Sequence, residues 1–165
     1  ISEIIRNDAP IREASLSLLQ TQSMFFIGRG ADRYLAMEGS LKLKEITYTH
    51  SEAYAAGELK HGTISLIEPG TPVVSIANDP AMFEKMLSNI REVKARGAKI
   101  LAVCPDEAED IVREADFYLR VPSIRPDIAG IAAATSLQLL AYYLADARGL
   151  DVDKPRNLAK SVTVE

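Results

Sequence analysis

The chain has 165 residues, enough for one domain that buries about 70% of the surface its unfolded form exposes. Apolar residues make up 47% and charged residues 25%, the balance of a globular domain rather than of a disordered or fibrous chain. The net charge of −4 argues against nucleic acid or an anionic membrane surface as a partner, though not against a locally basic phosphate site.

In chain order, residues 2–20 read as a helix with apolar positions at Ile4, Ile5, Ile11, Leu18 and Leu19, bent or restarted at Pro10. Residues 23–27 form a short apolar run closed by Gly28-Arg29-Gly30, the pattern of a buried strand entering a turn. Residues 33–47 predict a second helix. Residues 49–63 read as a loop rich in alanine and glycine, and they hold both histidines, His50 and His61. Strands are then expected at 72–77, 99–104 and 117–121, with helices at 80–96, 106–114 and 127–148. Short, wholly apolar strands alternating with helices predict an α/β fold: a three-layer α/β/α sandwich around a parallel sheet of four or five strands. In such sheets ligands are expected at the carboxyl ends of the strands. The apolar stretch 128–144 carries Thr135, Ser136 and Gln138, is short for a membrane span, and reads as a buried core helix. No stretch reads as a signal peptide. The chain opens on Ile1, not methionine, as expected of a segment of a longer protein. The single cysteine, Cys104, suits a reducing compartment, and cytoplasmic location is the expectation. Its place after an apolar run suits a small buried residue better than a nucleophile.

Four constellations could carry chemistry. Gly28-x-Gly30 follows a strand, but position 33 is arginine where a dinucleotide loop needs a third glycine, so a tight turn explains it better. Glu38, Lys42 and Glu45 are spaced four and three apart and share one helix face, with Leu35, Leu41 and Ile46 projecting close by. They form either a surface salt-bridge ladder or a general base tuned by burial and a neighbouring ammonium. His61 lies between glycines in Gly57-Glu58-Leu59-Lys60-His61-Gly62 and is either structural or a proton shuttle. Two histidines without a cysteine pair make a poor zinc site, and no metal or cofactor is expected. In the last residues, Lys160 stands among Leu158, Ala159, Val162 and Val164. It is either a solvated lysine or, if desolvated, a neutral amine able to form an imine with a sugar carbonyl, with Leu158 and Val162 docking the tail against the sheet end.

Taken together, Gly28-Arg29-Gly30, the run from Glu38 to Glu45, the run from Glu52 to Gly62 and the closing Pro155 to Glu165 are very similar to the glucosamine-6-phosphate synthase family, also called glutamine:fructose-6-phosphate aminotransferase (isomerizing). The resemblance covers essentially the whole chain and corresponds to the second sugar-isomerase (SIS) half of that family's isomerase domain. It implies a parallel, flavodoxin-like SIS domain at 1–150 and a catalytic tail at 151–165. It implies that Lys160 forms a Schiff base with open-chain fructose 6-phosphate, and that Glu45 moves the proton between C1 and C2. It further implies that His61 opens the ring across a subunit interface, and that Glu38, Lys42 and Ala159 line the substrate site. The implied partners are fructose 6-phosphate and glucosamine 6-phosphate, with a homodimer or higher oligomer in the intact enzyme and no nucleic acid or membrane. Thr63 departs from the proline common there, which bears on loop stiffness and not on catalysis. The family's glutaminase domain and first SIS half have no counterpart here. Neither does the Ser/Thr-rich phosphate loop of that first half, so the isolated segment is expected to be inactive. A stand-alone SIS isomerase, deaminase or deglycase, or a non-catalytic phosphosugar sensor, would share the fold. A sensor would not need the imine-forming lysine.

Overall fold

The computed structural model describes residues 1–158. Two short helices open the chain, α1 (Ser2–Arg6) and α2 (Ala9–Leu16), with Pro10 in the first turn of α2, where its missing N–H costs nothing. Five strands and four helices follow: β1 (Ser23–Gly28), α3 (Asp32–Thr47), β2 (His50–Ala55), β3 (Pro72–Ile76), α4 (Phe83–Lys94), β4 (Lys99–Cys104), α5 (Glu109–Glu114), β5 (Phe117–Arg120) and α6 (Pro126–Ala147). The sheet order is β2-β1-β3-β4-β5 and every pairing is parallel. This is the flavodoxin-like order, with its switch point between β1 and β3.

Strand alternation divides the core into two layers. Met24, Phe26, Val74, Leu101 and Val103 point to the side covered by α2, α3 and α6. Phe25, Ile27, Val73, Ile100, Ala102 and Cys104 point to the side covered by α4 and α5. Both sides of each central strand are therefore apolar, which is why these strands read as continuous runs. Within α6, the 20 residues Ile128–Ala147 are long and apolar enough to cross a bilayer. Ala133, Leu137, Leu140, Ala141 and Leu144 are instead buried against α2, α3 and the sheet, which makes α6 a core helix. Gly39 allows α3 and α6 to approach closely, since a Cβ there would stand 3.0 Å from Leu137.

The loop expected at 49–63 is corrected by the structure. Residues His50–Ala55 form edge strand β2, and 3-10 turns follow at Ala56–His61 and Thr63–Leu66. An edge strand needs no apolar run, because half of it faces solvent. Its buried residue, Ser51, is satisfied by polar contacts instead. The Ser51 hydroxyl donates to the Ser40 carbonyl at 3.0 Å, and the Ser40 hydroxyl lies 2.9 Å away as the complementary donor.

Candidate active site

Helix α3 buries Ala36, Gly39, Ser40, Leu43 and Thr47, which leaves Glu38, Lys42 and Glu45 as a stripe on its partly exposed side. The Lys42 ammonium lies 2.8 Å from a Glu45 carboxylate oxygen and 3.9 Å from one of Glu38. Their side chains are 35%, 30% and 41% exposed respectively, so the cluster is shielded but open to a small solute. The hydrogen bond to Glu45, reinforced by the charges of both glutamates, raises the Lys42 pKa above its ordinary value. Lys42 is therefore an ammonium that organises the two carboxylates, and it is a poor nucleophile. Leu35 and Ile46 lean into the core, whereas Leu41 is exposed. A groove of about 670 Å³ runs between α3 and β2, lined by Tyr34, Met37, Glu38, Leu41, Glu52 and Tyr54.

The stripe lies away from the carboxyl edge of the sheet, against expectation. Helix α3 starts at that edge, where Asp32 meets Asn78, and runs back, so Glu45 stands in its last turn at the amino edge. His61 lies past the carboxyl end of β2, in a 3-10 turn whose Leu59 packs into the α4 layer. Glu45 and His61 are thus at opposite edges and on opposite faces of the sheet. The strand between them alone spans about 17 Å. The nearest carboxylate to His61 is that of Glu58, at 3.9 Å.

The switch point is filled by the chain's own carboxylate. Asp32 is buried and accepts the Asn78 backbone N–H at 2.7 Å and the Asn78 amide at 2.8 Å. A phosphate there would meet a fixed negative charge, so the Gly28-x-Gly30 turn is a structural turn. Gly28 is required by close approach: a Cβ would lie 2.4 Å from the Asp32 carbonyl oxygen. Among the described residues, no three His, Cys, Asp or Glu side chains converge as metal ligands would.

Lys160 and Ala159 lie outside the described residues, as does Val162. What the structure does describe is how the tail reaches them. The Arg156 N–H donates to the Tyr48 hydroxyl at 2.9 Å, and its guanidinium sits 4.0 Å over the Tyr48 ring. Tyr48 follows α3 directly, three residues after Glu45. Leu158, expected to dock the tail, is 52% exposed. Over its described residues the tail is held by a polar contact and a stacked cation. Tyr48 and Arg156 were not singled out in the sequence. Their partnership joins positions 108 residues apart, and no local pattern announces it.

A family profile described as SIS domain matches residues 17–147. The chain belongs to the SIS domain family. This SIS domain is 50% identical over its whole length to a glutamine–fructose-6-phosphate aminotransferase [isomerizing] of Methanosarcina acetivorans, and 47% identical over 99% of its length to one of Clostridium acetobutylicum. It spans 27% of the length of each of these curated relatives. Among solved structures, the C-terminal domain of glucosamine-fructose-6-phosphate aminotransferase from Francisella tularensis superposes with a TM-score of 0.86 at 36% identity. That match covers 92% of the SIS domain described here and 43% of the other chain. A glucosamine-6-phosphate deaminase from Thermotoga maritima superposes with a TM-score of 0.68 at 25% identity, over 98% and 48% of the two chains.

Proposed function

We propose that this SIS domain is the isomerase segment of a glutamine:fructose-6-phosphate aminotransferase, which makes glucosamine 6-phosphate from fructose 6-phosphate and glutamine-derived ammonia. The reading is supported by the identity to enzymes of that name over the whole chain. The observation that carries it is the anchoring of the tail on Tyr48, at the end of the helix that bears Glu45. From Arg156 the chain reaches at most about 14 Å to Lys160, and Glu45 lies only about 4.5 Å back along the helix from Tyr48.

In this reading the neutral Lys160 amine attacks C2 of the open-chain ketose, and loss of water gives an imine. Ammonia then displaces the lysine at C2. Glu45 takes a proton from C1 while the C2 nitrogen gains one, forming an enolamine. Return of a proton to C2, with loss of the C1 hydroxyl proton, leaves an aldehyde at C1 and an amine at C2. Lys42 holds Glu45 in place as a carboxylate, and Glu38 balances the ammonium once Glu45 turns to the sugar. His61 of a neighbouring subunit opens the ring, which accords with its distance from Glu45 within one chain. The cytoplasm is the compartment for this chemistry. The test is borohydride reduction of the full-length protein with fructose 6-phosphate bound. Hydride adds to the imine carbon, so a stable secondary amine should map to Lys160 and be lost in Lys160→Arg. An adduct on Lys42, Lys44 or Lys60 would overturn the assignment.

A further inference from the structure

Among the described residues, the two non-glycine residues in the left-handed region are Tyr48, at φ 60, and Asn157, at φ 63. Both belong to one contact. Tyr48 ends α3 in this conformation, which a bulky side chain adopts only when its surroundings impose it. The surroundings do so through Arg148, the residue after α6. Its guanidinium donates to the Thr47 carbonyl at 3.2 Å and the Thr49 hydroxyl at 2.7 Å, on either side of Tyr48. It also donates to the carbonyls of Leu18, Leu19 and Thr21 at 3.0, 3.2 and 2.9 Å. One cation thus ties the ends of α3 and α6 to the segment entering β1. On the other side of the contact, Pro155 and Asn157 build a turn closed by Leu158 N–H to the Pro155 carbonyl at 3.4 Å. That turn presents the Arg156 N–H to the Tyr48 hydroxyl.

We infer that Tyr48, fixed by Arg148, is a positioning residue that pins the tail at Arg156 and so sets the approach of Lys160 to the sugar carbonyl. The inference rests on the imine reading above. The pin acts through backbone and ring, and touches no reacting atom. Its loss lowers the fraction of time Lys160 is in place, and leaves the sugar's own contacts intact.

The test uses the full-length protein with fructose 6-phosphate and borohydride. Tyr48→Phe keeps the ring and removes the acceptor, whereas Arg156→Gln keeps the N–H and removes the stacked cation. Each should slow trapping on Lys160 at saturating sugar by about three- to tenfold, the worth of one such contact, and leave KM for the sugar unchanged. If Tyr48→Phe yields too little folded protein, Arg156→Gln decides alone. A wild-type adduct on Lys160 with normal trapping rates in the variants would overturn the pin and leave the imine reading standing. Raised KM with a normal saturated rate would also overturn it, since Tyr48 would then hold the sugar. No adduct on Lys160 in the wild type would overturn the imine reading, and the pin with it.

Discussion

Glu45 and Lys42 stand 2.8 Å apart on a surface about one-third exposed, and this geometry decides what each can do. An exposed pair of this kind adds at most about 1 kcal/mol to stability, and in the proposed reading its value is chemical. The raised pKa of Lys42 favours its ammonium form, and in the proposed reading Glu45, the carboxylate it holds, accepts the proton. In the full-length protein, Glu45→Gln is expected to slow exchange of the C1 hydrogen with deuterated solvent by about 10²–10⁴-fold, while borohydride still traps the sugar on Lys160. Exchange at the wild-type rate would end the general-base assignment. Cys104 shows the opposite case. Burial, with a smaller contribution from the Asp106 charge, pushes its thiol up to about 12. It is a packed side chain of β4, as its apolar run suggests.

At the scale of elements, two glycines on and beside α3 separate two kinds of crowding. At Gly39 an added methyl meets side-chain atoms of Leu137 and Phe26 at 3.0–3.2 Å, which must give by a few tenths of an ångström, and alanine's helix propensity returns about 1 kcal/mol. At Gly28 the added methyl meets backbone of Asp32 and Arg33 at 2.4–2.8 Å, with nothing to offset the clash. Gly39→Ala should therefore stay within about 1 kcal/mol of wild type, whereas Gly28→Ala should lose about 2 kcal/mol or more. Urea unfolding of the two variants checks the order, and a reversed order would refute the argument. The same elements show what a sequence reveals. Strands β1, β3 and β4 were legible because both faces are buried and the runs are unbroken. Strand β2 was not, because Ser51 is buried through a hydroxyl pair with Ser40 rather than through apolar area. The Glu38–Lys42–Glu45 stripe was legible because helical spacing is local. Arg148 and the Tyr48–Arg156 contact were not, because they join residues about 100 positions apart.

For the whole molecule, the proposed site residues Glu45 and His61 lie at opposite edges of one sheet, and the switch point holds Asp32 where a phosphate would need positive charge or free N–H groups. The 165-residue chain by itself is accordingly expected to be inactive, with affinity for fructose 6-phosphate no tighter than about millimolar. Micromolar binding by calorimetry would contradict this. The layer order also has a consequence during synthesis. Helix α6 is made last of the helices among the described residues, yet it covers α2, α3 and the sheet residues Phe26, Val74 and Leu101. Until it leaves the ribosome, that apolar face has no cover and depends on shielding from other chains. Arg148 follows immediately, and the segment with Lys160 comes after it. The chain closes its core first and adds Lys160, the amine of the proposed imine, only afterwards, so a truncated product that stops near residue 150 is expected to fold without the group on which that proposal depends.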